Sequence, residues 1–157
     1  MNPPLRLELA DAAAQEACGA RLAAACPAKA LIFLRGDLGA GKTTLVRGLL
    51  RARGERGPVR SPTYTLIEPY ETVDGRVYHL DLYRLAAGEE LEFLGLRDML
   101  DEAAVMLVEW PERGGDWLPQ PDLTITIEHL AEGRALTFQA ATPVGAAIVA
   151  AMLDDAS

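Results

Sequence analysis

The sequence predicts an α/β fold with a mostly parallel central sheet, antiparallel strands at its edges and helices on its faces. Three observations predict it. The apolar run "ALIFLR" over residues 30–35 leads straight into "GDLGAGKTT", and Leu45, Val46, Leu49 and Leu50 then repeat at helical spacing. Such a strand–loop–helix unit belongs to parallel sheets. A second run, "AAVMLVE" over 103–109, is apolar until its terminal acid, the pattern of a strand buried on both faces. Elsewhere the chain alternates around turn signals. Residues 66–73 and 76–81 flank "VDGR" with Asp74-Gly75 at its turn, and "DLTITIEHL" precedes "RALTFQA". Both read as antiparallel hairpins.

The remaining elements follow in chain order. "LRLEL" at 5–9 alternates as an edge strand does, and Asp11 is placed to cap an alanine-rich helix that runs to about Cys26, where Pro27 follows. The helix after the glycine-rich loop runs to about Arg53 and closes at Gly54. "GPVRSPTYT" carries two prolines and reads as an irregular loop. After Leu85, "GEELEFLGLRDML" forms a helical patch offering Leu91, Phe93, Leu94, Leu96 and Leu100, and residues 143–153 suit a short terminal helix. No internal repeat or low-complexity linker interrupts the 157 residues, so the expectation is one domain, 1–157.

Composition narrows the function. Half the residues are hydrophobic, enough for a core without staples. Cys18 and Cys26 lie eight apart in one expected helix and lack metal spacing, so both read as buried thiols in a reducing cytoplasm. The N-terminus has no signal pattern, and no apolar run is long enough for a membrane span. A cytoplasmic protein without a membrane role is expected. The net charge of −8 argues against general affinity for nucleic acid, which needs clustered cations. Arg47, Arg51, Arg53, Arg56 and Arg60 are a local exception; they read as a solvated face, with a docking surface for an acidic partner or RNA as the alternative. Thirteen arginines stand against two lysines, Lys29 and Lys42, and the placing of Lys42 points to a need for a compact point charge.

The chemistry concentrates in G-x-x-x-x-G-K-[ST], matched by Gly36, Gly41, Lys42 and Thr43. Glycines let successive backbone N–H groups turn inward onto phosphate oxygens, and the following helix presents its positive end to the same anion. Asp37, Leu38, Gly39, Ala40 and Gly41, with Lys42, Thr43 and Thr44, are the candidate cradle. Lys42 is expected to reach the β- and γ-phosphates and the Thr43 hydroxyl to ligate Mg²⁺. The glycines do not fall as G-x-G-x-x-G after the strand, so a dinucleotide fingerprint is excluded. No N-K-x-D guanine reader follows a strand, which leans toward ATP.

Such a cradle needs a second acid at the end of an apolar strand to position Mg²⁺. "VYHLD" ends at Asp81 and "VMLVE" at Glu109. The second is apolar throughout, so Glu109 is assigned to the metal shell. Asp81, on a strand interrupted by His79 and read as more peripheral, is a candidate for orienting the attacking water, with a strand-end cap as the alternative. "SPTYT" offers Ser61, Thr63, Tyr64 and Thr65 as a γ-phosphate sensor, or forms a plain turn. Trp110 is a candidate for nucleotide contact, with core or interface packing as the alternative. His79 and His129 read as structural. No arginine stands out as a built-in finger for the transition state; Arg60 and Arg84 are candidates, and slow intrinsic hydrolysis is expected.

The set "GDLGAGKTT", "SPTYTLIEPYE", "YHLDLYRL", "EELEFLGLRDML" and "LVEWPERG" closely resembles the TsaE (YjeE) family of small bacterial ATPases, in order from about residue 30 to about residue 120. The resemblance implies the P-loop NTPase fold and an ATP- and Mg²⁺-dependent role in forming the threonylcarbamoyladenosine modification at position 37 of certain tRNAs. It implies the TsaB and TsaD proteins as partners, whose cycling needs the ATP turnover, and contact with tRNA that is indirect or weak. By matching motifs it carries Mg²⁺ binding to Thr43 and Glu109 and activity to Asp81 and Trp110. Gly133 and Arg134 match a nucleotide-proximal turn. Two other classes compete. A small-molecule kinase would carry an arginine-rich lid, where this chain has a buried strand and a hairpin. A nucleotide-gated binding module would not need both Asp81 and Glu109.

Overall fold

The computed structural model describes residues 3–156. Its strands are β1 (Leu5–Leu9), β2 (Ala30–Arg35), β3 (Ile67–Thr72), β4 (Gly75–Asp81), β5 (Ala104–Glu109), β6 (Leu123–His129) and β7 (Arg134–Ala140). Its α-helices are α1 (Ala12–Ala25), α2 (Lys42–Ala52), α3 (Glu90–Phe93), α4 (Leu96–Asp101) and α5 (Pro143–Ala156). The strands form one sheet in the order β1-β7-β6-β2-β5-β4-β3. β6, β2, β5 and β4 are parallel neighbours, while β3, β7 and β1 join antiparallel at the edges. That is the α/β architecture the sequence predicts. Of the expected span 1–157, residues 1, 2 and 157 lie outside the described residues.

Strand periodicity sorts the core onto two faces. Ile32, Leu34, Val77, Val105 and Leu107 pack with Cys18 and Leu22 of α1, Leu45 and Leu49 of α2, and Ile148 and Met152 of α5. Leu31, Phe33, Tyr78, Leu80, Met106 and Val108 pack on the other face with Leu91, Leu96 and Met99. His79, Asp81 and Glu109 continue the first set by the two-residue period, so they stand on the face that α2 covers.

α1 opens on Asp11, whose carboxylate accepts from Ala14 N at 2.8 Å, and ends against Cys26. It packs so close to α2 that a Cβ on Gly48 would lie 2.1 Å from Glu16 O, and one on Gly19 2.3 Å from Leu45 O. This contact seats α2, and with it the glycine-rich loop, against the sheet.

Four expectations change. The patch after Leu85 is two short helices, because Gly95 takes a left-handed φ of 85° between them. Phe93 is consequently 89% exposed, and Leu91, Leu96 and Met99 fill the core. The β3–β4 turn is Val73-Asp74, one residue earlier than Asp74-Gly75, with Gly75 already paired to Thr72. Three of the five clustered arginines are structural. Arg53 is 3% exposed, Arg51 donates to Glu55 O and Gly57 O, and Arg47 bonds Val59 O and pairs with Glu16. Arg56 and Arg60 alone of the five are exposed. Cys18 is buried, Cys26 is half-buried, neither is paired, and burial pushes both thiols up to about 11.

Gly48→Ala gains helix propensity but forces α1 and α2 apart. Overpacking wins, at a net loss of about 2 kcal/mol, so thermal melting of the variant is expected about 4–8 °C below wild type.

Candidate functional site

The loop between β2 and α2 turns through two left-handed glycines, Gly39 (φ 77°) and Gly41 (φ 106°). The left-handed φ makes glycine the fit at Gly41, and a Cβ there would also push the Gln15 amide, 2.4 Å away, out of its bond to Ala40 O. The buried Ala40 carbonyl accepts from Gln15 Nε2 and Arg134 Nε, each at 3.2 Å. These bonds tie the loop to α1 and β7. α2 begins at Lys42 without a side-chain cap, so its first amides are free of intrahelical partners at the positive end of the helix.

Lys42 is 5% exposed. Its ammonium donates to Gly36 O and, at 3.2 Å, to Asp37 O, and it lies 4.1 Å from the centroid of the Trp110 ring. Burial lowers its pKa, and the charges of Glu109, Asp81, Glu112 and Asp37 pull the other way without cancelling that effect. Trp110 holds a left-handed backbone, φ 57° and ψ 48°, costly for a bulky residue. Tyr83 supports it at 5.0 Å between ring centroids.

Asp81 and Glu109 end β4 and β5 as paired residues on adjacent parallel strands. Both are buried. Glu109 Oε2 accepts from Thr43 Oγ1 at 3.2 Å and meets His79 Nε2 at 2.5 Å. Asp81 Oδ2 accepts from Ser61 Oγ and, at 3.3 Å, from Thr63 Oγ1. Its Oδ1 accepts from Tyr83 N at 3.0 Å, so Asp81 does cap its strand end as well as face the hydroxyl loop. As expected, Asp81 lies on the more peripheral strand: β5 sits beside β2, and β4 lies one place further out next to the edge strand β3, while its parallel pairing with β5 sets Asp81 directly beside Glu109.

A cavity of about 550 Å³ joins these groups, lined by Leu38 to Thr44, Ser61, Thr63, Tyr64, Asp81, Tyr83, Arg84, Glu109 and Trp110. Gly133 and Arg134 line an adjoining cavity of about 290 Å³ on the far side of Gly39 and Gly41, with Asp11 and Gln15. Asp37 lines neither and contributes its backbone carbonyl. Arg84 lines the main cavity and stacks on Tyr64 at 4.7 Å, whereas Arg60 does not line it. Sequence reasoning missed Gln15, which sits mid-helix without a motif, and the contact of His79 with Glu109. The spacing of "HLD" puts His79 and Asp81 on one strand face, but it does not point to Glu109.

Oxygen donors and a buried ammonium at the positive end of a helix suit an anion that carries a hard cation. Thr43 Oγ1 and the Glu109 carboxylate would supply two of the six oxygens such an ion takes, with phosphate and water completing the shell.

Because the folded pKa of Lys42 lies below its unfolded value, the unfolded chain holds the proton between the two, and stability from this group rises with pH through that window. Lys42→Met removes a desolvated cation. The variant is expected to melt at or above wild type near pH 8, and the gap to close as pH rises toward about 10. A variant melting well below wild type at both pH values contradicts the reading.

Comparison with known proteins adds three findings. The family model described as "Threonylcarbamoyl adenosine biosynthesis protein TsaE" matches residues 9–136. Proteins named "tRNA threonylcarbamoyladenosine biosynthesis protein TsaE" match from Haemophilus influenzae, 46% identical over 121 residues and 77% of each chain, and from Bacillus subtilis, 40% identical over 111 residues, 70% of this chain and 69% of that one. The crystal structure of Bacillus subtilis YdiB superimposes with a TM-score of 0.84 at 29% identity, covering 100% of this chain and 99% of that one, so the P-loop NTPase-like fold is shared. With its glycine-rich loop, paired acids and tryptophan all inside the matched span, this chain belongs to the TsaE family of threonylcarbamoyl adenosine biosynthesis proteins.

Proposed function

We propose that the chain binds ATP with Mg²⁺ and hydrolyses it, as the component that drives turnover of a TsaB–TsaD complex forming threonylcarbamoyladenosine at position 37 of tRNAs. The names of its relatives support the pathway. One observation carries the ATPase reading: Lys42, Thr43, Asp81 and Glu109 line a single cavity at the carboxyl ends of β2, β4 and β5, where open α/β sheets bind ligands.

The residues divide the work. Amides of Asp37 to Thr44 cradle the phosphates, and Lys42 exchanges the Gly36 and Asp37 carbonyls for β- and γ-phosphate oxygens. Thr43 and Glu109 would hold Mg²⁺, which when bound offsets the charge developing on the transferred group. Asp81, steadied by Ser61 and Thr63, orients a water for in-line attack on the γ-phosphorus. Trp110 roofs Lys42 and keeps bulk water from weakening its field. Gly133, Arg134 and Gln15 form the wall toward the nucleoside. The protein acts in the cytoplasm, reaching tRNA only through its partners.

Asp81→Asn is expected to lower kcat by about 10²-fold while nucleotide affinity stays within about threefold; unchanged turnover would favour a module that only holds ATP. Phosphate release, with no transfer to a small-molecule acceptor, separates hydrolysis from kinase chemistry. Turnover is expected to be slow alone and faster with the TsaB–TsaD complex, since Arg84, the candidate finger that lines the cavity, is stacked on Tyr64 and needs a partner to free or complete it. Equal rates with and without the complex contradict that part.

A further inference from the structure

The site contains a buried imidazole that the reading above does not use. His79 is 0% exposed in the middle of β4, between Tyr78 and Leu80 and opposite Leu107. A leucine or valine would pack there without polar demands. Its Nε2 meets Glu109 Oε2 at 2.5 Å, and its Nδ1 is buried with no hydrogen-bond partner among the described residues. A ring kept for packing alone would leave that nitrogen unsatisfied at a loss of stability. The acid opposite Nε2 fixes the tautomer. An unprotonated Nε2 would set its lone pair against the Glu109 carboxylate, which can only accept, so the proton sits on Nε2 and is donated to Glu109.

Thr43 Oγ1 donates to the same oxygen at 3.2 Å. Both bonds fall on Oε2 and none on Oε1 among the described residues, so the carboxylate is clamped at one oxygen from two elements, α2 and β4. His79 is the rigid half of that clamp, since its ring is enclosed on a central strand, whereas Thr43 sits in the first turn of a helix whose loop must receive the ligand.

We infer that His79 is a positioning residue, holding the Glu109 carboxylate in the orientation that takes up the divalent cation. The inference rests on the ATP and Mg²⁺ reading proposed above. It assigns His79 no contact with nucleotide, so the phosphate cradle should work without it when metal is absent.

The test uses the full chain and a non-hydrolysable ATP analogue, titrated calorimetrically in EDTA and across a Mg²⁺ series. His79→Leu keeps the volume and loses the donor. It is expected to bind the analogue in EDTA within about twofold of wild type, and to need about 10–100-fold more Mg²⁺ for half-maximal enhancement of binding. His79→Gln places an amide N–H near the Nε2 position and is expected to return the Mg²⁺ midpoint to within about threefold of wild type. Should the leucine variant not fold, His79→Asn, whose amide ends short of Oε2, replaces it with the same expected loss. An unchanged midpoint in the donor-less variant overturns the inference. So does an equal loss of affinity with and without metal, which marks a structural role, or a glutamine variant as impaired as the leucine one. Wild-type protein that shows no analogue binding, or binding indifferent to Mg²⁺, overturns the nucleotide reading itself and this inference with it.

Discussion

Glu109 is an acid buried to 3% exposure at the end of a strand, with a second buried acid, Asp81, paired beside it. Two carboxylates taken out of water next to each other are unfavourable unless donors and cations surround them. The local structure answers that need. Thr43 and His79 serve Glu109, Ser61, Thr63 and the Tyr83 amide serve Asp81, and the Lys42 ammonium lends both acids an opposite charge. The pair would favour a triphosphate that carries a divalent cation over a bare one, so the same acids that burden the fold would select the ligand proposed for it.

The sheet makes this juxtaposition unavoidable. β4 and β5 run parallel in a register that sets Asp81 against Glu109, and β2 on β5's other side delivers the chain into the loop and α2. Gly19 and Gly48 let α1 and α2 approach at backbone distance, which fixes where the first turn of α2 lands. Gln15 and Arg134 hold the Ala40 carbonyl from opposite sides. Stability and the geometry of the proposed site therefore share contacts, and Lys42 is desolvated and bonded to its own loop.

Much of this was legible in the residues. Uninterrupted apolarity over runs as short as "ALIFLR" and "AAVMLVE" suits strands covered on both faces, which placed Glu109 near the loop. Alternation around "VDGR" gave the edge hairpin. What could not be read depends on contacts distant in sequence. Hairpin membership hid that β4 is also β5's parallel neighbour. A lone histidine on a strand does not announce that its partner is an acid thirty positions away. Helical spacing over 88–100 masked Gly95, whose left-handed turn splits the patch and exposes Phe93. An arginine run looks solvated until its members, Arg47, Arg51 and Arg53, find carbonyls, an acid or burial in the fold.

The central claim is that the Thr43 hydroxyl and the Glu109 carboxylate jointly hold a divalent cation carried on a nucleotide. A crystal structure of the protein with a non-hydrolysable ATP analogue and Mn²⁺, the metal located by its anomalous scattering, tests this most directly. The account predicts one strong peak between Thr43 Oγ1 and the Glu109 carboxylate, with the triphosphate wrapped by residues 37–44 and the Lys42 ammonium moved onto it. A nucleotide bound elsewhere, or a metal peak remote from both side chains, would contradict it.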